Sequence, residues 1–417
     1  MDEDTLQLLL QGLAESGYSY ALSVLQQEAN CQYDPNRFPP AELSRRLAGS
    51  ASATKSATLG QAENPELSLL SPGEDDYVQQ QIRCLDSFHA GNVTCVRWAP
   101  DGRLISGSAD RSFCVSTGAL GDSPESVRVA ANAAILSLDV HPVSNLLLVS
   151  TMDGSVMLYS IAAAKPLLLQ NWRNHIKYVN SVRWQPYSSQ PLFASCSFDE
   201  SVHVYRPAES AEVAGSYELL QRLQCGGVVE AICWANSGTA LAAAVRGEYR
   251  LHIFTGGALE RRTLNLNENG DERHSFTILA LDASPDDRWL AAHADVGFVI
   301  ILCLKTGKQM RRLYGPKGDG FNRPVQAWHP SGKYFYTSNA EAAGPLLVWD
   351  VASERIKTEL RGHTALVRDM HNHPSMNVLA SCGFDRTIRI WAAAEKGPVS
   401  QDASMDVLVD GLVQAST

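Results

Sequence analysis

Apolar positions along this chain change period once. Over residues 4–29 they recur at helical spacing: Leu6, Leu9, Leu10 and Leu13 share one face, the pattern breaks at Gly17, and it resumes with Tyr20, Val24 and Leu25. This predicts a helical hairpin. From about residue 78 the pattern becomes one of short apolar strands closed by turns, clearest over residues 362–391, GHTALVRDMHNHPSMNVLASCGFDRTIRIW. There a Gly-His pair leads into a strand that ends in a proline turn at Pro374; a second strand over 378–381, Asp385 and a strand closing on Trp391 follow.

The same unit recurs in eroded form. An acidic residue stands before the third strand at Asp110, Asp153, Asp199, Glu248 and Asp295, in steps of 43, 46, 49 and 47, and again 90 further on at Asp385. Trp98, Trp184, Trp234 and Trp328 independently mark the end of the first strand, 86, 50 and 94 apart. Two registers agreeing on one period near 45 residues predict four-stranded blades. Counted from His89, Ala131, His175, Gln224, Arg273, Gly318 and His363, the blades number seven.

Gly362, His363, Ser381, Asp385 and Trp391 at these offsets resemble the WD-repeat family. The resemblance implies an all-β, seven-bladed propeller in which His363, Ser381, Asp385 and Trp391 form a hydrogen-bonded chain. It also implies that the strand over 80–88 completes the last blade as its outer strand, which removes the exposed sheet edges. Blade one keeps His89, Ser106 and Asp110 with Ser116 in place of the Trp; blade three keeps His175, Ser195 and Asp199 with Tyr205 there. The other blades lack the full set and are expected to rest on apolar packing. The hairpin in turn resembles the LisH dimerisation motif through Leu8-Leu9, Leu13, Gly17-Tyr18, Leu22, Leu25 and Glu28. That resemblance implies a homodimer through Leu6, Leu9, Leu10, Leu13, Tyr18, Leu22 and Leu25, since so short a hairpin cannot bury its leucines alone. The alternative is an amphipathic hairpin docked on the propeller.

The expected organisation is therefore a hairpin over 1–30, a flexible Pro- and Ser/Ala-rich linker over 31–77, a propeller over 78–395 and a mobile tail over 396–417. The loops 314–321 and 340–345 depart from the period and are expected to protrude. Of the 417 residues, roughly 300 suffice for a closed propeller. No apolar run is long enough to cross a bilayer, and the acidic start lacks the basic region of a secretory signal, so we expect a soluble protein of the cytoplasm or nucleus, or both. Nine scattered cysteines read as reduced thiols, mostly in strands. A net charge of -10 argues against nucleic acid as partner.

No stretch carries a catalytic signature. The glycine-rich run 315–320 lacks the flanking strand and helix of a phosphate loop, and no Gly-x-Ser-x-Gly occurs. His371 and His373 have no third ligand at a useful spacing, so we expect no metal and no cofactor, and read them as a strand end with one solvent-facing imidazole. The expected function is a non-enzymatic scaffold binding proteins or peptides. Layouts of this kind also serve ubiquitin ligases and chromatin corepressor complexes, although the Arg of cullin-type receptors is replaced by Ala352 in Trp349-Asp350-Val351-Ala352. In propellers of this resemblance the residues flanking the first inner-strand position, and those around the repeated Asp, face the narrow end of the channel. Here they are Asn92, Thr94, Tyr178, Asn180, Phe198, Glu230, Asn322, Arg323, Leu366, Arg368 and Phe384. Exposed aromatics and two Arg among them, with Tyr178, Phe198, Arg368 and Phe384 as the centre, are expected to anchor a partner.

Overall fold

A computed structural model describes residues 76–394, apart from 122–123, 187, 189, 209–215, 268–275, 317–321 and 340–342, and the separate positions Gln7, Leu10, Gln11, Gln26, Asp34 and Arg37. The expectations for Leu6, Leu9, Leu13, Tyr18, Leu22 and Leu25, for most of the linker and for the tail lie outside the described residues, as do those for 317–321 and 340–342. Leu10 is helical and fully buried within the single chain, and the Asp34 amide donates to Gln7 Oε1 at 3.0 Å.

The described residues form seven antiparallel four-stranded sheets, and six of them run in strict chain order from the innermost strand outward. The innermost strands are Val93–Trp98, Ile135–Val140, Val179–Trp184, Val229–Ala235, Ile278–Ala283, Gln326–Trp328 and Val367–Asn372. All four marker tryptophans fall at or beside the ends of these strands. The seventh sheet joins the two ends of the ring: Gln80–Leu85 pairs with Ile388–Ala392, from Gln80 opposite Ala392 to Leu85 opposite Ile388. The closing strand stops at Leu85, short of the expected 88, and the linker expected through residue 77 is already docked at Asp76. Asn377 Nδ2 donates to Asp76 Oδ1 at 2.8 Å, and the Tyr77 ring lies 4.9 Å from that of Tyr334.

Burial explains the composition of the strands. A second strand is flanked by neighbouring blades on both faces, so it cannot alternate apolar with polar and reads as continuous small or apolar residues, as in Ala240–Val245. Outer strands such as Glu125–Ala130 are mostly exposed. The core is divided among the seams. Leu104, Cys114, Val378 and Ile390 lie in one seam between the last and first blades, Ile105, Phe113, Leu138 and Val149 in the next. The same arrangement repeats around the ring.

Six of the seven innermost strands carry a β-bulge at their second residue, between Val93 and Cys95, Ile135 and Ser137, Val179 and Ser181, Val229 and Ala231, Ile278 and Ala280, and Val367 and Asp369. A bulge drops one residue out of the ladder and re-aims its side chain. The residues so released are Thr94, Leu136, Asn180, Glu230, Leu279 and Arg368, four of which the repeat register had assigned to the channel end.

Candidate interaction face and axial channel

In the last blade the expected hydrogen-bonded chain is complete. Trp391 Nε1 donates to Ser381 Oγ at 2.8 Å, His363 Nε2 lies 2.8 Å from the same oxygen, and His363 Nδ1 lies 2.8 Å from Asp385 Oδ2. With Asp385 ionised, Nδ1 carries the proton and Nε2 accepts the serine hydroxyl. Burial pushes the Asp385 carboxyl up, but bonds from His363, the Thr364 amide and Thr387 outweigh it and hold the carboxyl well below its usual range. Blade three repeats the arrangement with His175, Ser195 and Asp199 at 2.8 and 2.9 Å, blade one with His89, Ser106 and Asp110 at 2.9 and 3.2 Å. The remaining blades were expected to rest mainly on apolar packing, and blade six adds a bond to it: Trp349 Nε1 donates to Thr337 Oγ1 at 2.9 Å. Threonine there supplies the hydroxyl that serine supplies elsewhere, in a blade whose sequence carries no Gly-His pair.

These chains fix the turns that make up one face. Each blade's turn hangs from a carbonyl at the start of its innermost strand: Phe198 N donates to Tyr178 O at 3.2 Å, Phe384 N to Leu366 O at 2.8 Å, Ala109 N to Asn92 O at 2.9 Å. Met152 and Arg246 occupy the same turn position, through Ala134 O and Val228 O. Sequence reasoning missed both. The signal for Met152 was its place just before Asp153, as Phe198 precedes Asp199 and Phe384 precedes Asp385.

The expected site residues separate into three groups. Tyr178 and Phe198 are half-buried rather than exposed, because their rings lie 4.0 Å apart; Arg246 stands 5.5 Å over Phe198 and closes on Glu230 at 2.5 Å, which buries Glu230. Exposed Ile176 and Met152 flank this group, at 80% and 59% exposure. The backbone at Gly154 comes so close to blade three that a methyl there would meet His175 O at 2.5 Å. In blade seven, Arg368 lies 5.1 Å over Phe384, which is exposed, with half-buried Leu366 alongside. Thr94 and Asn180 are engaged between blades: Thr94 Oγ1 donates to Ile135 O at 2.7 Å and Asn180 Nδ2 to Val229 O at 2.9 Å. Asn322 and Arg323 are half-buried, and Arg323 Nη1 reaches Asn180 O at 3.5 Å across the channel.

The axial channel is charged, which the sequence reading did not anticipate. Innermost strands have no ladder partner on their inner edge, so their amides need side-chain acceptors. Preceding blades provide them. Trp184 N donates to Asp139 Oδ2 at 2.7 Å, Trp328 N to Asp282 Oδ2 at 3.2 Å, and Trp98 N to His371 Nδ1 at 3.1 Å. Arg97 spans the lumen between Asp369 at 2.5 Å and Asp139 at 3.7 Å. Burial pushes the Asp282 carboxyl up to about 7, against the pull of Arg183. The signal was a charged residue just before the last apolar position of these strands, as in Val-Arg-Trp at 96–98 and 182–184 and Leu-Asp at 138–139 and 281–282. His371 and His373 need correction too: His371 lines the channel, and His373 is buried and accepts bonds from the Ser375 and Met376 amides. Among the described residues no group of three His, Cys, Asp or Glu side chains converges as a metal site, the eight cysteines are unpaired, and no helix is long and apolar enough to cross a membrane.

Seven four-stranded blades and ring closure by the first strand define a seven-bladed β-propeller, and WD40 repeats are found in part of it. The family model for the WD domain, G-beta repeat, matches residues 80–115, 125–160, 167–206 and 354–392. Over 64 residues the chain is 34% identical to the DDB1- and CUL4-associated factor 11 homolog of Caenorhabditis elegans, covering 15% of this chain and 11% of that protein. Over 302 residues it is 21% identical to Cell division cycle 20.1, cofactor of APC complex, of Arabidopsis thaliana, covering 72% of this chain and 54% of that protein. The chain thus spans about a tenth and about half of these relatives.

Proposed function

We propose that this protein is a non-enzymatic scaffold of the cytoplasm or nucleus that self-associates through a LisH-type hairpin at residues 1–30 and holds a protein or peptide partner on the propeller face. The observation that carries the reading is the set formed by Tyr178, Phe198 and Arg246 with Ile176 and Met152 at its rim. Two aromatic rings in contact and an arginine beside exposed aliphatic side chains have the composition of interaction hot spots. Phe384 and Arg368 extend the surface on blade seven.

A second reading is a subunit of a ubiquitin ligase. It is favoured by the two relatives, one named as a DDB1- and CUL4-associated factor homolog and the other as a cofactor of the APC complex. Against the cullin-type receptor stands Ala352, where an arginine would be required; Asp350 is instead buried and accepts a bond from Ser353 Oγ at 2.6 Å.

Affinity purification tests both readings. The triple variant Ile176→Glu, Tyr178→Ser, Phe198→Ser should keep its melting temperature and lose partners that the wild type retains, while Val143→Glu, at a turn on the opposite face, should keep them. A folded triple variant that retains every partner would place the binding surface elsewhere. Ubiquitin-ligase subunits among the partners lost would select the second reading.

A further inference from the structure

We propose that the channel mouth is an oxyanion site, in which Arg323 and Arg368 take a small phosphate-class anion with Arg183 beneath them. These three guanidinium groups line one section of the channel, about 70 Å3 in volume, together with the Arg97–Asp369 pair; it continues into a wider section of about 280 Å3 lined by Asp139, Asp282 and His371. That volume admits a compact oxyanion.

The distribution of partners carries the argument. Arg97 is neutralised by Asp369 and Asp139. Arg183 gives Nη1 to Val182 O at 2.8 Å and Ser137 Oγ at 3.3 Å, both uncharged. Arg323 makes one long contact, to Asn180 O at 3.5 Å. Arg368 has no hydrogen bond to any described residue: its Nε is buried and unsatisfied, its guanidinium lies over the face of Phe384, and Asp369, the one described carboxylate that favours its charge, is hydrogen-bonded elsewhere. The carboxylates within reach are already engaged. Asp369 Oδ2 holds Arg97 and the Val96 amide and Oδ1 the Met370 amide; Glu230 is closed on Arg246; Asp139 and Asp282 lie deeper, each bound to a tryptophan amide.

Two half-buried cations that bond to no carboxylate among the described residues are costly, and each strains the other. Burial lowers both Arg323 and Arg368 from their usual range, and the neighbouring guanidinium groups add to it, Arg183 on Arg323 and Arg323 on Arg368, outweighing the opposite pull of Asp369 on both and of Glu230 on Arg323. A chain with a net charge of -10 that keeps in its channel arginines bonded to no carboxylate among the described residues has a use for an anion there. The planar fork of each guanidinium can meet two oxygens of one tetrahedral anion, whereas chloride would satisfy a single bond at a time.

The test is isothermal titration calorimetry of the full chain in chloride buffer with inorganic phosphate, with sulfate as competitor. Wild type should bind phosphate saturably and sulfate should compete. Arg368→Met and Arg323→Gln should each weaken binding by about tenfold or more, the worth of one charge-assisted hydrogen bond. In phosphate-free buffer both variants should melt no lower than wild type, because each removes an unpaired buried charge. Absence of saturable binding, equal affinity in wild type and variants, or a lowered melting temperature of Arg368→Met without phosphate would each overturn the proposal; the last would mean that the guanidinium already has a protein partner. Ile176, Tyr178 and Phe198 are untouched by these variants, so failure here leaves the partner face standing.

Discussion

The His363 imidazole is bonded at both nitrogens and has no water within reach, since its side chain is 1% exposed. Its removal leaves Ser381 and Asp385 short of a partner inside the blade. His363→Ala should therefore cost about 1–3 kcal/mol, the penalty of an unsatisfied buried polar group. His371→Ala should cost less. The Trp98 amide it releases faces the channel cavity, where solvent can replace the lost acceptor. Urea unfolding of the two variants checks this, and equal losses would show that the inter-blade bond contributes as much as the chain within the blade. Residue types carried part of this in sequence, because Gly-His, Ser, Asp and Trp recur at set offsets. The Trp349–Thr337 pair escaped because a hydroxyl does not depend on which residue presents it.

Strands explain why the channel end was partly legible. A bulge at the second residue of six innermost strands turns Thr94, Asn180, Glu230 and Arg368 toward the mouth. The repeat register located these positions, but the exposure expected of them did not follow, since Thr94 and Asn180 are spent bonding the next blade. The strand Gln80–Leu85 makes the ring a closed object: Leu85 is buried in the seam between last and first blades, whereas Ile82, on the same strand, is 43% exposed. Leu85→Ala should accordingly destabilise the propeller by about 2–5 kcal/mol, as large-to-small core substitutions do. Ile82→Ala should stay within about 0.5 kcal/mol, as surface substitutions do. Thermal or urea unfolding distinguishes them, and similar small losses in both would mean that the strand contributes little to closure.

For the whole molecule the proposed dimer is the open quantity. The helical pattern of residues 4–29 leaves an apolar stripe that solubility disfavours. Leu10, one of its members, is covered within the single chain, which removes it from any surface offered to a second copy. The proposed dimer then rests on the rest of the stripe, and Leu9→Asp should convert a dimer to monomers in multi-angle light scattering. The same mass for wild type and variant would sink the dimer. Two copies would present two faces to a partner, and avidity would make its retention depend on the hairpin.

The period and the count of seven blades were legible in the sequence, because one turn and one apolar strand must repeat wherever sheets pack face to face around an axis; closure by the first strand, which pairs Gln80 with Ala392, was implied only by the family resemblance. What only the tertiary structure decided is which charges meet. Arg97 and Asp369 lie 272 positions apart in sequence, and Asp139 reaches Trp184 from the preceding blade. The half-burial of Tyr178 and Phe198 likewise comes from two segments brought together by a turn. Spacing along the chain records what each blade needs for itself; the lumen is shared by all seven, and its electrostatics exist only once the ring has closed.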